Sequence, residues 1–484
     1  MKMLKKIIIV LSALIAVSFT AAAESVPYEN YTYSEKNGNL VYGPQAYLPE
    51  CVITGSELGL ANMSSLSDID SDEHGNLYLL DFAENRVIVL NSDLTLKNVF
   101  ICYNGGTNAV LSEAKGIFTD DKYIYVADTG NAQILIMDRE TGEQVKIVPA
   151  PSSAVLGKDF IFKPIRLATD SERQLYVVGE GTYEGIINMN WEGEFISFVG
   201  SSNVTASAWD IFWQKFSTKQ QRKTSVQFIP QDHSSIDSDQ FGFFYCTTYT
   251  AKDKKMVKRL NPGGADVIRA LSSVGITGDQ KAYYGGTLEG NSSFSDVSSG
   301  NYKIYACLDK TRNRIFCYNN DGYLLYSFGC TSNREGGFSR PSGITFLPDD
   351  RIAVSDEERG NVTVFYPTEY AAAIHSGLNA QNSLDYNAAY KYWKSVLNMN
   401  SEFELAHSEV GKVYLANGEY KKAMEEFKNS GNLAQYSRAL AGYRSELIYD
   451  NIYLIAAAVI LLIALIVFAV KMRRRKISNG VNNK

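Results

Sequence analysis

Residues 123–131 read Tyr123-Ile124-Tyr125-Val126-Ala127-Asp128-Thr129-Gly130-Asn131, a short β-rich run that ends in an Asp/Gly/Asn turn. A second apolar run follows directly at Gln133–Ile136. The same outline begins again at Gly75, Tyr302 and Arg351, and weaker copies lie at residues 174–178 and 243–247. Short strands split by turn residues and repeated at spacings of roughly 40–50 residues predict a chain of four-stranded β units.

The innermost strands of these units can be placed along the chain. Six starts result, at Ile69, Ile117, Leu167, Ile236, Val297 and Ile344. The sixth unit ends near Phe365 after only three strands, whereas residues 51–55 have the pattern of a fourth strand. We therefore predict an all-β, six-bladed propeller over residues 47–367. Its N-terminal strand completes the last blade and removes two open sheet edges.

These units resemble NHL repeats, in which an apolar-Tyr-Val-Ala-Asp run is followed by a Gly/Asn turn and an Asn-x-apolar-x-apolar-apolar strand. Residues 127–131 carry the best match. Several such copies in one chain imply a β-propeller.

Propeller topology brings the starts of the innermost strands to one end of the central channel. The residues that precede the six starts are Asp68, Gly116, Arg166, Ser235, Asp296 and Gly343. Two carboxylates and one guanidinium among small residues predict a polar ligand site built from Asp68, Arg166 and Asp296. The alternative is that these three side chains are solvated or paired with one another.

Four recurrent acids, Asp81, Asp128, Asp309 and Asp356, end the second strand of their units. We predict that these carboxylates cap turns by accepting backbone N–H groups, and we do not include them in the site.

The connection between the third and fourth units, residues 201–231, lies over the same end of the channel. Within it, residues 208–216 place aromatic side chains at helical spacing. We expect Phe212 and Phe216 to pack inward, and we include Trp209 and Trp213 in the ligand site. An aromatic lid over a polar ring would suit a carbohydrate or another small molecule. The alternative is a packed helix that buries its own aromatic side chains.

The sequence contains no GxSxG, Walker, HExxH or serine–histidine pattern. Its four histidines do not readily converge into a three-histidine zinc site. We therefore expect no catalytic residues, no bound metal and no cofactor. Similarity to gluconolactonase-type propellers, which bind a divalent metal through carboxylates and Asn, leaves a metal-dependent hydrolase as the alternative. Against it, no Asn accompanies Asp68 and Asp296 in the ring, and Arg166 would oppose a cation.

The two ends of the chain indicate its compartment. Residues 1–23 combine three lysines, an apolar run and an Ala-Ala-Ala cleavage site, which predicts a secretory signal peptide; an uncleaved anchor helix is the alternative. Residues 451–470 carry no charge and are long enough to cross a bilayer. The basic tail at 471–484 predicts a cytoplasmic C-terminus and an external region at 24–450. The whole chain has a net charge of −6 and both of its ends are basic, so the external region between them must be acidic. An acidic region repels phosphate groups, and we therefore do not expect nucleic acid as a partner.

From residue 368 to 450 the apolar period changes from 2 to 3.6. Gly411, Ala423 and Phe427 stand 34 positions after residues 377, 389 and 393, which are also Gly, Ala and an aromatic residue. This segment resembles tetratricopeptide repeats, although Gln435 stands where those repeats usually have Pro. The resemblance implies a surface that binds a protein partner, and a simple spacer is the alternative.

The predicted organisation is a signal peptide at 1–23, a lead-in at 24–46, the propeller at 47–367, helical repeats at 368–450, a transmembrane helix at 451–470 and a tail at 471–484. This arrangement resembles bacterial membrane-anchored NHL-repeat proteins. The resemblance implies a single-pass cell-membrane protein that binds or scaffolds outside the cytoplasm, auxiliary to a sugar-uptake system.

Overall fold

The computed structural model describes residues 26–61, 63–103, 110–153, 156, 160–200, 232–280, 283–284, 287–288 and 290–481. The predicted signal peptide and the connection at 201–231, with Trp209 and Trp213, lie outside these residues. The chain forms two compact units. The first runs to His375, and the second begins at Ser376 and includes residues 35–37.

The strands up to the fourth blade are, in chain order, β1 (Asn30–Tyr33), β2 (Leu40–Gly43), β3 (Tyr47–Thr54), β4 (Leu66–Ser71), β5 (Leu77–Asp81), β6 (Arg86–Leu90), β7 (Leu96–Ile101), β8 (Gly116–Thr119), β9 (Tyr123–Asp128), β10 (Gln133–Asp138), β11 (Gln144–Pro149), β12 (Pro164–Thr169), β13 (Leu175–Gly179), β14 (Ile186–Met189), β15 (Phe195–Val199), β16 (His233–Ser238), β17 (Phe244–Lys252) and β18 (Lys255–Leu260). The remaining strands are β19 (Tyr283–Tyr284), β20 (Thr287–Leu288), β21 (Phe294–Ser299), β22 (Ile304–Asp309), β23 (Arg314–Asn319), β24 (Leu324–Phe328), β25 (Pro341–Phe346), β26 (Ile352–Asp356) and β27 (Asn361–Pro367). A short 3-10 helix at Asn301–Lys303 precedes β22.

These strands form the predicted six-bladed propeller. Blades 1, 2, 3 and 5 are four-stranded antiparallel sheets made of β4–β7, β8–β11, β12–β15 and β21–β24. Each predicted innermost start lies in the first strand of its blade. First strands of successive blades contact one another around the whole ring, and β25 of blade 6 contacts β4 of blade 1.

Blade 6 closes the ring as predicted. Its sheet order is β25-β26-β27-β3, so the N-terminal strand supplies the outer position. In the antiparallel register, Ile53 lies opposite Val362 and Val52 lies opposite Thr363. The edge of β27 is therefore paired by a segment about 300 positions away in the sequence.

Blade 4 departs from the expected four strands. In the part of the chain that the structure describes, its sheet contains β16, β17 and β18. Residues 266–276 run along the outer side of β18 with isolated bonds, in which Val267 N donates to Arg259 O and Met256 N donates to Ile276 O. This segment forms hydrogen bonds with backbone groups at the outer edge of β18 without forming a regular strand.

The lead-in at residues 24–46 forms an antiparallel hairpin of β1 and β2, which the sequence did not predict. The hydroxyl group of Tyr31 donates to the carboxylate of Asp279 at 2.8 Å, and Tyr33 donates to the same carboxylate. Asn30 Oδ1 accepts from Ser327 N on β24. The hairpin is therefore bound to blade 5 through polar side chains.

The apolar cores lie between neighbouring blades. For example, the ring centroids of Tyr176 on β13 and Phe244 on β17 are 4.2 Å apart, which joins blade 3 to blade 4. Tyr245 stacks on Tyr305 in the same way, at 4.7 Å, between blades 4 and 5. Burial of large aromatic side chains between the blades supplies much of the stability of the propeller.

Six helices follow in the described residues. They are α1 (Glu369–Asn382), α2 (Tyr386–Met399), α3 (Glu404–Ala416), α4 (Tyr420–Ser430), α5 (Leu433–Asp450) and α6 (Ile452–Val481).

The helices α1 to α4 show the predicted 34-residue relation in three dimensions. A Cβ atom at Gly377 would lie 2.9 Å from the Trp393 ring, and one at Gly411 would lie 2.7 Å from the Phe427 ring. Both rings are fully buried. In each helix pair, a glycine on the first helix lets an aromatic side chain of the second approach its backbone.

The last helix contains a segment, Ile452–Arg473, that is long and apolar enough to cross a membrane. Its apolar side chains are exposed, with Tyr453 at 87% and Leu454 at 70%. Such exposure is unfavourable in water and favourable in lipid. The segment is consistent with a single-pass membrane protein.

Candidate functional site: the propeller channel

The three charged residues predicted at the channel meet one another. Asp68, Arg166 and Asp296 lie on the first strands of blades 1, 3 and 5, so they alternate around the ring. The Arg166 guanidinium is 3.3 Å from Asp68 Oδ1 and 3.3 Å from Asp296 Oδ1. All three side chains are nearly buried. The sequence left open whether these side chains are solvated or paired with one another, and in the structure they are paired.

Arg166 also binds backbone carbonyl groups of neighbouring blades. Its guanidinium donates to Ser342 O of blade 6 at 2.9 Å and to Lys115 O, which precedes β8 of blade 2. With the two carboxylates, one side chain therefore contacts four other blades. A planar guanidinium with five N–H donors suits such a central position.

The two carboxylates also form hydrogen bonds that join adjacent blades. Asp68 Oδ2 accepts from Ile117 N of blade 2, and Asp296 Oδ2 accepts from Ile344 N of blade 6, both at 2.9 Å. The hydroxyl group of Ser235 on blade 4 donates to Asp296 Oδ1 at 2.6 Å. These bonds brace the ring because each crosses from one blade to the next.

The small residues of the ring make room for the charged ones. A Cβ atom at Gly343 would lie 2.5 Å from Asp68 Oδ1, and one at Gly116 would lie 2.5 Å from Ile165 O. Alternation of large and small residues thus fills the channel at this level. We call these six residues the channel ring (Asp68, Gly116, Arg166, Ser235, Asp296 and Gly343).

Electrostatics within the channel ring favour retention of the guanidinium charge. Burial raises the pKa of Asp68 well above its usual range, although Arg166 opposes this rise. Burial also disfavours the charge on Arg166, but Asp68 and Asp296 outweigh it and raise the pKa of Arg166. The ring holds a cation that cannot readily lose its proton.

The recurrent acids accept backbone N–H groups in all four units, as predicted. Asp128 accepts from Ser112 N, Asp309 accepts from Ser293 N and Thr311 N, and Asp356 accepts from four backbone N–H groups, including those of Ser339 and Arg340. Asp81 accepts from the backbone N–H of Ser65 and also forms an ion pair with Arg86 at 2.8 Å.

A second polar layer lies two residues further along the first strands, and the sequence analysis missed it. Asp70 of blade 1 and Asp237 of blade 4 belong to this layer. Asp70 Oδ2 accepts from Thr119 N and Thr119 Oγ1, and Asp237 Oδ2 accepts from Ser299 N. The sequence does contain the signal for this layer, because alternate residues of a strand face the same side. The prediction missed it because it considered only one residue of each first strand.

Both carboxyl groups of this layer differ from ordinary aspartates. Burial raises the pKa of Asp70 to about 7, against the lowering effect of its hydrogen bonds with Ser71 and Thr119. Burial, with added repulsion from Asp70, raises the pKa of Asp237 to about 7. Each of them therefore exchanges its proton near neutral pH.

The donor sets around the channel do not fit a bound divalent metal. Across the described residues there is no group of three or more His, Cys, Asp and Glu side chains placed to hold a metal ion. In the channel ring, the Arg166 cation occupies the position between Asp68 and Asp296. The arrangement gives no support to the gluconolactonase-like alternative.

Comparison with known proteins supports the fold. A sequence model of the NHL repeat matches residues 338–365, which include β25 and β26. No curated protein sequence matches the chain.

Several solved structures are similar to part of this chain. A streptogramin B lyase is 12% identical over 67% of this chain and 98% of its own, with a TM-score of 0.40. Virginiamycin B lyase from Staphylococcus aureus is 10% identical over 67% and 88%, with a TM-score of 0.38. A protein of unknown function from Bacteroides thetaiotaomicron is 12% identical over 70% and 76%, with a TM-score of 0.40. Because these TM-scores are below 0.5, we draw no conclusion about this chain from them.

Proposed function

We propose that this chain is a membrane-anchored binding and scaffolding protein that works outside the cytoplasm. The observation that carries the proposal is the Arg166 network. The charged residues at the channel entrance are bonded to neighbouring blades, which suits a rigid binding platform.

The proposed ligand surface lies at the end of the channel where the first strands begin. Arg166, Asp68 and Asp296 form its floor. Nearby, Tyr249 is close enough to Arg166 for an electrostatic interaction, and Lys310 Nζ lies 3.9 Å from the Tyr249 ring centroid. The lid tryptophans, Trp209 and Trp213, complete the proposed surface. A carbohydrate is the proposed ligand class.

The helical repeats are proposed to bind a protein partner. Support comes from the two helix pairs with equivalent Gly–aromatic contacts and from exposed aromatic residues on α2, where Tyr386 is 56% exposed and Tyr392 is 43% exposed. A role beside a sugar-uptake system is a further part of this proposal and rests on the resemblance to membrane-anchored NHL-repeat proteins.

Thermal-shift screening of the full chain in detergent, against a panel of mono- and oligosaccharides, tests the ligand surface. We expect a stabilising sugar whose effect is lost in Trp209→Ala and Trp213→Ala and kept in Trp191→Ala, a matched substitution on blade 3. Unchanged binding in both lid variants would contradict the assignment. A bound divalent metal together with lactone hydrolysis would favour the hydrolase instead.

A further inference from the structure

The opposite end of the channel opens into a cavity of about 430 Å³. Its walls are the ends of the first strands and the turns that follow them, from blades 1, 2, 4, 5 and 6. The volume falls within the roughly 300–1,000 Å³ of small-molecule sites. We call this space the lower cavity.

The two carboxyl groups of the lower cavity stand on opposite walls. First strands contact one another in sequence order around the ring, so that blades 1 and 4 are separated by two blades in either direction. Asp70 on blade 1 and Asp237 on blade 4 therefore face the cavity from opposite sides. A molecule that contacts both must carry hydrogen-bonding groups on two opposite edges.

Hydroxyl groups cover much of the wall between them. Thr119, Ser238, Ser298 and Thr345 all line the cavity, and none of the described lining residues is a Lys, Arg or His. Thr345 Oγ1 lies 3.0 Å from Ser71 Oγ, which holds the first strands of blades 6 and 1 in register. Hydroxyl groups both donate and accept, so the wall complements a ligand that does the same.

The rim of the lower cavity carries two acids, Asp72 and Glu73, and the single positive charge of Arg139 offsets one of them. Glu73 forms a two-point ion pair with Arg139, at 2.9 and 3.0 Å, and Asp72 accepts from Tyr78 Oη at 3.0 Å. The rim therefore keeps about one negative charge, which makes a diamine the competing ligand class. An anion would meet the Asp70 and Asp237 carboxyl groups with no cation in the lining to compensate.

We propose that the lower cavity binds a small neutral polyhydroxylated molecule of the sugar or polyol class, bridged between Asp70 and Asp237. This site is separate from the ligand surface proposed above, with the Arg166 network between them. Hydroxyl groups at opposite edges of such a molecule would bond to the two carboxyl groups, and its remaining hydroxyl groups would meet the Ser and Thr wall.

The pH dependence of binding distinguishes a polyol from a diamine, which also has hydrogen-bond donors at its two ends. Because a hydroxyl group can pair with a protonated or an ionised carboxyl group, polyol binding is expected to change less than threefold between pH 6 and pH 8. Diamine binding would instead rise steeply over this range, because ionisation of both carboxyl groups creates its partners.

The test is saturation-transfer NMR on the full chain in detergent micelles. The probes are a panel of neutral mono- and disaccharides, putrescine as the diamine and glucuronate as the anion. Wild type is compared with Asp70→Asn and Asp237→Asn, and with Ser238→Phe, which fills the cavity without replacing either carboxyl group. Asp170→Asn, at a turn of blade 3 outside the cavity lining, is the matched control, and melting temperatures verify folding.

We expect at least one neutral sugar to show transfer, with affinity about tenfold lower in Asp237→Asn, loss in Ser238→Phe, and no change in Asp170→Asn. The proposal is overturned if no neutral sugar shows transfer. It is also overturned if transfer persists in Ser238→Phe, or if putrescine or glucuronate is the preferred probe. If sugar binding were lost only in Trp209→Ala and Trp213→Ala, the sugar would be bound at the other end of the channel and the proposal for the lower cavity would be overturned.

Discussion

Arg166 Nε lies 3.3 Å from Asp296 Oδ1, which joins the first strand of blade 3 to that of blade 5 across the channel. The two residues are 130 positions apart in the sequence. A buried ion pair of this kind stabilises a fold only while both partners are present, since the loss of one leaves an uncompensated charge. The channel ring is therefore expected to be sensitive to substitution.

Arg166→Ala is expected to destabilise the propeller by about 3–5 kcal/mol. The substitution leaves Asp68 and Asp296 without their cation and removes the donors to Ser342 O and to the carbonyl group of Lys115. Chemical denaturation followed by tryptophan fluorescence measures the change. Arg173→Ala is the control, because its ion pairs with Asp120 and Asp121 are partly exposed and should cost less than about 1 kcal/mol. Equal effects of both substitutions would contradict the role given to Arg166.

Protonation of Asp70 and Asp237 should couple stability to pH. Their pKa values are raised to about 7 in the folded chain, above the ordinary value of 3.8. The folded state therefore binds more protons, and this contribution to stability is complete below about pH 4 and is lost as the pH rises through 7. His233, whose pKa is lowered by burial to about 4, contributes with the opposite sign between pH 4 and 6.5.

The difference between wild type and the double variant Asp70→Asn/Asp237→Asn isolates the two carboxyl groups. We expect the melting temperature of wild type, relative to that of the double variant, to fall between pH 5 and pH 8. A difference that stays constant or rises over this range would contradict the raised pKa values of the two groups.

Closure by the N-terminal strand predicts a contrast between neighbouring positions of β3. Ile53 is 6% exposed and faces the core, whereas Val52 is partly exposed on the other side of the strand. Ile53→Asp would bury an unpaired carboxylate, detach β3 and expose the edge of β27, with an expected loss of about 3 kcal/mol or more. Val52→Asp should cost less than about 1 kcal/mol. Denaturation curves and the onset of aggregation measure both variants, and similar behaviour would contradict the closure.

The helical unit has its own test at Gly411. A side chain there meets the fully buried ring of Phe427, so Gly411→Leu should lower the stability of this unit by about 1–3 kcal/mol. Ala416→Leu, at an exposed position of α3, is the matched control. Far-ultraviolet circular dichroism melts and limited proteolysis of residues 376–450 report the change. Unchanged protection in Gly411→Leu would contradict the close helix contact.

The repeat pattern was sufficient to predict the blades, their six innermost starts and the closing strand, because each depends on local periodicity and turn residues. Topology also brought Asp68, Arg166 and Asp296 to one end of the channel. Whether they would pair with one another depends on the width of the channel, which no local pattern contains.

Other features lacked a usable sequence signal. The bond between Tyr31 and Asp279 joins residues 248 positions apart, and nothing in either local sequence indicates the other. The irregular outer edge of blade 4 likewise follows from how residues 266–276 pack, since their apolar pattern is weak. Asp70 and Asp237 were detectable, by extending each channel-facing position by two residues.

The most direct test of the binding and scaffolding role is site-specific photo-crosslinking of the full chain in intact membranes. A photoreactive residue at Tyr392, on the helical repeats, should give one discrete adduct with another membrane or envelope protein. The same residue at Ile196, which is 49% exposed on the outer strand of blade 3, should give none. The Tyr392 adduct should disappear in Gly411→Leu and persist in Arg173→Ala. An adduct absent at Tyr392, or present equally at both sites, would contradict the account.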